Sequence, residues 1–223
     1  MALARALAAR PEVLLLDEPF SALDARVREE LRDWLRGLHD QLQVTSLFVT
    51  HDQTEAMELA DRIAIMRDGV LVQSGAPAEL EEEPNSAFVM NFLGKASTVR
   101  GLAKDGVAEF YGVKAPYEAA SNDPVPVVGH FRPQQVGITL EPTSTSWPVV
   151  VERMVTAGHA VKVHVSIVET DESFVAEISG WQRDELGLEA GRLVHATPWN
   201  LRVYPAADAD NRVPTLAPAA ASA

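Results

Sequence analysis

Val13 to Leu16 form a short unbroken apolar run, VLLL. Such a run predicts a strand buried on both faces of a parallel sheet. The segment before it, MALARALAARP, reads as the last turns of a helix stopped by Pro11. Asp24 is placed to cap the next helix, whose apolar positions Val27, Leu31, Trp34, Leu35, Leu38 and Leu42 recur at the spacing of one helical face. A second buried strand, TSLFVT, leads to His51, and a short helix around Ala56, Leu59 and Ala60 follows. RIAIMRD, the turn Asp68-Gly69 and VLVQSG predict a β-hairpin, and APAELEEEP and SAFVMNFLG predict two short closing helices. Strand and helix alternate, so the fold class is α/β with a parallel sheet.

The pattern changes near Lys95. Short strand-like runs follow, separated by Gly, Pro, Asn and Asp. In AVKVHVSIV, residues Val161, Val163, Val165 and Ile167 fall on one face and Lys162, His164 and Ser166 on the other. LVHAT and WNLRVY read the same way, and several such strands at short spacing predict a small all-β barrel or sandwich. From Ala206 the chain is rich in Ala and Pro with little to bury, which predicts a disordered tail. The expected organisation is therefore residues 1–94, 95–205 and a tail over 206–223.

Charge and composition narrow the classes. A net charge of -13 argues against a nucleic-acid partner, which needs a basic footprint. With no cysteine there is neither a disulfide framework nor a thiolate metal site. No apolar run reaches the roughly 18 residues of a membrane helix, so work at a membrane would proceed by docking onto another subunit.

The chemistry sits in VLLLDEPFSALD. A buried strand ending in two carboxylates sets Asp17 and Glu18 at the C-terminal edge of the sheet, where open α/β folds bind ligands. Phosphoryl transfer needs a carboxylate for Mg²⁺, often through its water, and a second group that orients the attacking water. Asp17 suits the first role and Glu18 the second. A bare Asp-Glu after a strand more often caps the next segment; here the surroundings decide.

This stretch resembles the Walker B strand and D-loop of ATP-binding-cassette (ABC) ATPases, with Asp17-Glu18-Pro19 followed by Ser21-Ala22-Leu23-Asp24. Val49-Thr50-His51-Asp52 resembles the switch histidine of the same family, and MRDGVLVQSGAPAEL the end of such domains. The resemblance runs from Met1 to about Gly94. It implies ATP and Mg²⁺ as cofactors, Asp17 as metal ligand, Glu18 and His51 as catalytic residues, and Ser21 and Asp24 as residues at the nucleotide. For Asp24 it adds a contact across a nucleotide-sandwich homodimer. No Gly-x-x-x-x-Gly-Lys-Ser/Thr loop occurs in the chain, and neither does the Leu-Ser-Gly-Gly-Gln signature. The resemblance thus implies a truncated reading of a longer protein, with little ATP binding or hydrolysis by this chain alone.

From Phe88 onward, FVMNFLGKASTVRG, HFRPQQVGITL, GHAVKVHVSIVE and LRVYP resemble the TOBE-like regulatory region of bacterial sulfate/thiosulfate importer ATPases. Arg132-Pro133 is shared with importers of molybdate, iron, polyamines and maltose, so another solute stays open. A reading of a different class is a non-catalytic regulatory or dimerisation module. The implied partners are permease subunits, a second copy of the ATPase and, indirectly, a solute-binding protein, at the cytoplasmic face of the inner membrane. His159 and His164 are expected at the surface, Trp147, Trp181 and Trp199 as core or turn packing, and Glu81 to Glu83 as a solvated helix end.

Overall fold

A computed structural model describes residues 11–42, 44–118 and 123–209. It divides into two compact units, Met1–Glu83 and Pro84–Ala223. The helix expected before Pro11 lies outside the described residues, as does everything from residue 210.

In the first unit, strand β1 (Val13–Asp17) pairs in parallel with β2 (Thr45–Val49), in a register that sets Asp17 against Val49. Between them runs helix α1 (Ala25–Leu42), capped as expected by Asp24, whose Oδ1 accepts from the Val27 N–H at 3.0 Å. Helix α2 (Gln53–Leu59) is capped by Asp52, which accepts from the N–H groups of Thr54 and Glu55. The hairpin β3 (Ile63–Arg67) and β4 (Val70–Gly75) turns at Asp68 and Gly69, both at positive φ, the backbone that a two-residue turn of this kind requires. Helix α3 (Pro77–Glu82) follows, and Glu81, Glu82 and Glu83 are exposed.

Two burial expectations fail here. Strand β1 is not covered on both faces: Leu14 is buried, but Leu15 is 70% exposed, and its partner Leu47 is 62% exposed. The sheet has two strands, and among the described residues one face of it stays open. On α1, Val27 and Trp34 are exposed. The face that meets α2 is instead an arginine row at helical spacing, with Arg32 Nη1 3.3 Å from Glu58 Oε2 and Arg36 donating to the Glu58 carbonyl.

The second unit contains two antiparallel five-stranded sheets. One runs β14 (Arg202–Pro205), β8 (Val125–Phe131), β5 (Ser97–Lys104), β6 (Val107–Phe110), β7 (Val113–Pro116). The other runs β12 (Ser173–Ser179), β11 (Ala160–Ile167), β10 (Trp147–Ala157), β13 (Leu193–Pro198), β9 (Val136–Thr139). Val161, Val163, Val165 and Ile167 face inward as predicted and join Val99, Phe110, Val127, Phe131 and Val149 in one core. Trp147 is fully buried and donates its Nε1–H to the Phe110 carbonyl at 2.7 Å, tying the sheets together. Gly101 has to be glycine, since a Cβ there would come within 2.4 Å of the Glu109 carbonyl oxygen.

This unit starts at Pro84, ahead of the Lys95 boundary read from the sequence. Helix α4 (Ala87–Phe92) packs Ala87 and Met90 against Tyr204 of β14, and the Tyr204 hydroxyl donates to the Pro84 carbonyl at 2.9 Å. Trp199 caps a turn, with its N–H on the Gln135 carbonyl, but its ring is exposed. Trp181 is 70% exposed because its helix α5 (Gly180–Leu186) buries none of its residues. Ala206, where the tail was expected to begin, opens one further helical turn, α6 (Ala206–Ala209). No described helix is long and apolar enough to cross a membrane.

Candidate functional site

Parallel pairing brings the ends of β1 and β2 together, and with them the residues that follow each strand. Glu18 leaves β1 and donates its N–H to the Val49 carbonyl at 2.9 Å. Its backbone sits at φ 46, a left-handed conformation that costs a non-glycine residue free energy and is found preferentially at functional sites. Ser21 holds that turn: its N–H and its hydroxyl both reach the Glu18 carbonyl, the hydroxyl at 3.0 Å. Phe20 is fully buried and anchors the same loop.

The consequence is a side-chain pair. Glu18 Oε1 lies 2.8 Å from His51 Nδ1, across a separation of 33 residues. The hydrogen bond to Glu18 raises the His51 pKa above its ordinary value, and the Glu18 charge adds to the rise. Asp52 and Glu55 push the same way more weakly. The imidazole itself is open to solvent, its side chain 79% exposed.

Asp17 ends β1 with its side chain exposed at the sheet edge. Among the described residues no group of three or more His, Asp or Glu side chains is arranged to hold a metal ion. Asp17 presents one exposed carboxylate at this edge, and Mg²⁺ in phosphate enzymes takes one or two carboxylates together with phosphate oxygens and water. Asp24 acts as a helix cap, its side chain on the Val27 N–H. The structure thus pairs Glu18 with His51 beside the ends of β1 and β2, sets Asp17 at the end of β1 and Ser21 on the Glu18 carbonyl, and places Asp24 at the start of α1.

No family model matches the chain. It is 44% identical over 208 residues to the sulfate/thiosulfate import ATP-binding protein CysA of Bacillus cereus, a match covering 92% of this chain and 58% of that protein. With the protein of the same name from Mycolicibacterium paratuberculosis it shares 41% over 216 residues, covering 97% of this chain and 55% of that one. Over the part it spans, the chain is homologous to ATP-binding subunits of ABC importers. It spans a little over half the length of these relatives. Among solved structures, cbiO1 from Clostridium perfringens, part of the ABC transporter complex cbiONQ, is 30% identical over 40% of this chain and 36% of that one, with a TM-score of 0.35. The matches to the two import ATP-binding proteins cover 92% and 97% of this chain and so run through both units.

Two participants escaped the sequence reading. Glu55 is a carboxylate only 3% exposed, with Oε2 2.5 Å from the Thr50 hydroxyl. Arg28 stands 3.8 Å from its other oxygen. The signal was present as Arg28, Arg32 and Arg36, spaced by four on α1, against Asp52 at the cap of α2 and Glu55 and Glu58 within it, spaced by three.

Proposed function

We propose that this chain carries the hydrolytic side of the nucleotide site in the ATP-binding subunit of a sulfate or thiosulfate importer. The observation that carries this reading is the Glu18–His51 pair, 2.8 Å apart at the carboxyl ends of two parallel strands. Glu18 is the general base that draws a proton from the attacking water. The His51 imidazole fixes that carboxylate, and its raised pKa favours a positive charge that stabilises phosphoryl oxygens. Asp17 would hold Mg²⁺, which when bound neutralises phosphate charge.

Ser21 and Asp24 shape the loop between the carboxylates and α1, and by resemblance that loop meets the nucleotide and a second copy of the subunit. The sequence has no Gly-x-x-x-x-Gly-Lys-Ser/Thr motif to cradle phosphates, so hydrolysis on this reading belongs to a chain that also contains one. Permease subunits at the cytoplasmic face of a membrane are the partners this reading implies, with sulfate or thiosulfate supported by the names of the relatives.

The test uses the chain joined to the phosphate-binding N-terminal part of the Bacillus cereus relative. Glu18→Gln is expected to keep ATP binding and to lower hydrolysis by about 10² or more, as loss of a positioned base does. Steady-state turnover within a few-fold of the parent protein would remove Glu18 from the role.

A further inference from the structure

We propose that Arg28 is a positioning residue that ties the turn after Glu18 to the loop bearing His51, so that both members of the pair keep register; this rests on the hydrolytic reading above. From the first turn of α1, Arg28 makes one hydrogen bond and two ion-pair contacts. Its Nη2 donates to the Leu23 carbonyl at 3.0 Å, within the Ser21–Asp24 loop. Its Nη1 lies 3.5 Å from Asp52 Oδ2 and its Nε 3.8 Å from Glu55 Oε1.

Those two carboxylates frame His51. Asp52 follows it directly and caps α2. Glu55 accepts from the Thr50 hydroxyl, and Thr50 Oγ1 in turn accepts from the Asp52 N–H at 3.0 Å. Thr50, Asp52 and Glu55 therefore form one network around the histidine, and Arg28 connects it to the other loop. Glu55 is nearly fully buried, and a buried carboxylate is costly unless a cation and hydrogen bonds accompany it. A guanidinium holds its nitrogens in a rigid planar fork, so its contacts to Leu23 and to the two carboxylates are fixed relative to one another, unlike those of a freely rotating ammonium. Arg28 is not needed merely to join the helices, since Arg32 and Arg36 already bind Glu58 one and two turns further along.

The test uses the completed chain and has two readouts. In the first, Arg28→Gln lowers kcat for ATP about ten-fold with KM within about two-fold, the pattern of a misplaced catalytic group. Arg32→Gln, on the same face but away from both loops, leaves kcat within about two-fold of the parent. In the second, without nucleotide, Glu55→Gln speeds amide hydrogen exchange in residues 21–24, although Glu55 lies on the other loop's helix.

Three results overturn the proposal. One is an Arg28→Gln kcat within two-fold of the parent, and another an equal kcat loss in Arg32→Gln. The third is unchanged exchange at 21–24 in Glu55→Gln. An inactive completed chain, or one indifferent to Glu18→Gln, refutes the hydrolytic reading instead, and the exchange result still decides the tie.

Discussion

The two units treat their apolar residues in opposite ways. In the second, Val149, Val151, Val161, Val163 and Val165 are sealed between two sheets, with Trp147 and Phe131 filling the middle. In the first, the equally apolar strands β1 and β2 bury Leu14 and leave Leu15 and Leu47 open. Sequence patterns of similar strength thus reach different ends: the antiparallel sheets cover one another, whereas a two-stranded parallel sheet needs further layers. The unit with the closed core carries no residue of the proposed chemistry, and the unit with the open face carries all of it.

Separating the units sharpens that contrast most. Residues 84–209 expressed alone are expected to melt in one cooperative transition, and residues 1–83 to show none and to associate, followed by circular dichroism and light scattering. A sharp monomeric transition for residues 1–83 would break the comparison. Core truncation comes next. Phe131→Ala, at a fully buried side chain, should cost about 3–5 kcal/mol in a denaturant melt of the second unit. Leu15→Ala, at a side chain 70% exposed in the other unit, should leave that transition unmoved when both are measured in the full chain.

A smaller effect tests where the second unit begins. Tyr204→Phe removes the hydrogen bond to Pro84 and should cost about 1 kcal/mol. Burial pushes the Tyr204 hydroxyl up to about 12. The folded chain then keeps a proton that the unfolded chain releases near its ordinary value of 10, so stability falls as pH rises from about 10 to about 12. Tyr204→Phe should flatten that fall. A segment begun at Lys95 lacks both Pro84 and the α4 packing, and should melt below one begun at Pro84.

The gentlest test is at His51. Its pKa is raised by Glu18, so the pairing contributes fully below the ordinary histidine value of 6.5 and is lost as pH rises through the folded value. A histidine NMR titration should place His51 above 6.5, and Glu18→Gln should bring it down. A His51 unaffected by Glu18→Gln would mean that the pair does not form in solution.

Much of this was legible in the sequence because it is local. The apolar runs at β1 and β2, the Asp24 cap, the Asp68-Gly69 turn and the alternation of β11 each depend on neighbours within a few residues. Asp17, Glu18 and His51 were legible as residues at or just after the ends of two apolar runs, and their roles only through the resemblance. What the sequence withheld depends on packing between distant segments. Glu55 reads as an ordinary helix carboxylate until α1 is laid over it, and Arg28 as one of several exposed arginines. Trp147 and Trp181 look alike in the sequence, and only the sheets decide that one is core and the other stands in solvent.

On the proposed reading, Asp17, Glu18 and His51 act on Mg²⁺ and water, while the sequence has no phosphate-gripping Gly-x-x-x-x-Gly-Lys-Ser/Thr motif. Titration of the purified chain with a fluorescent ATP analogue tests that most directly. On that reading Asp17 and Glu18 add negative charge where the triphosphate would approach, and the sequence has no Gly-x-x-x-x-Gly-Lys-Ser/Thr motif to offset it. The account predicts no saturable signal that ATP competes away. Micromolar binding displaced by ATP would contradict it, and would mean that these residues assemble a phosphate site by themselves.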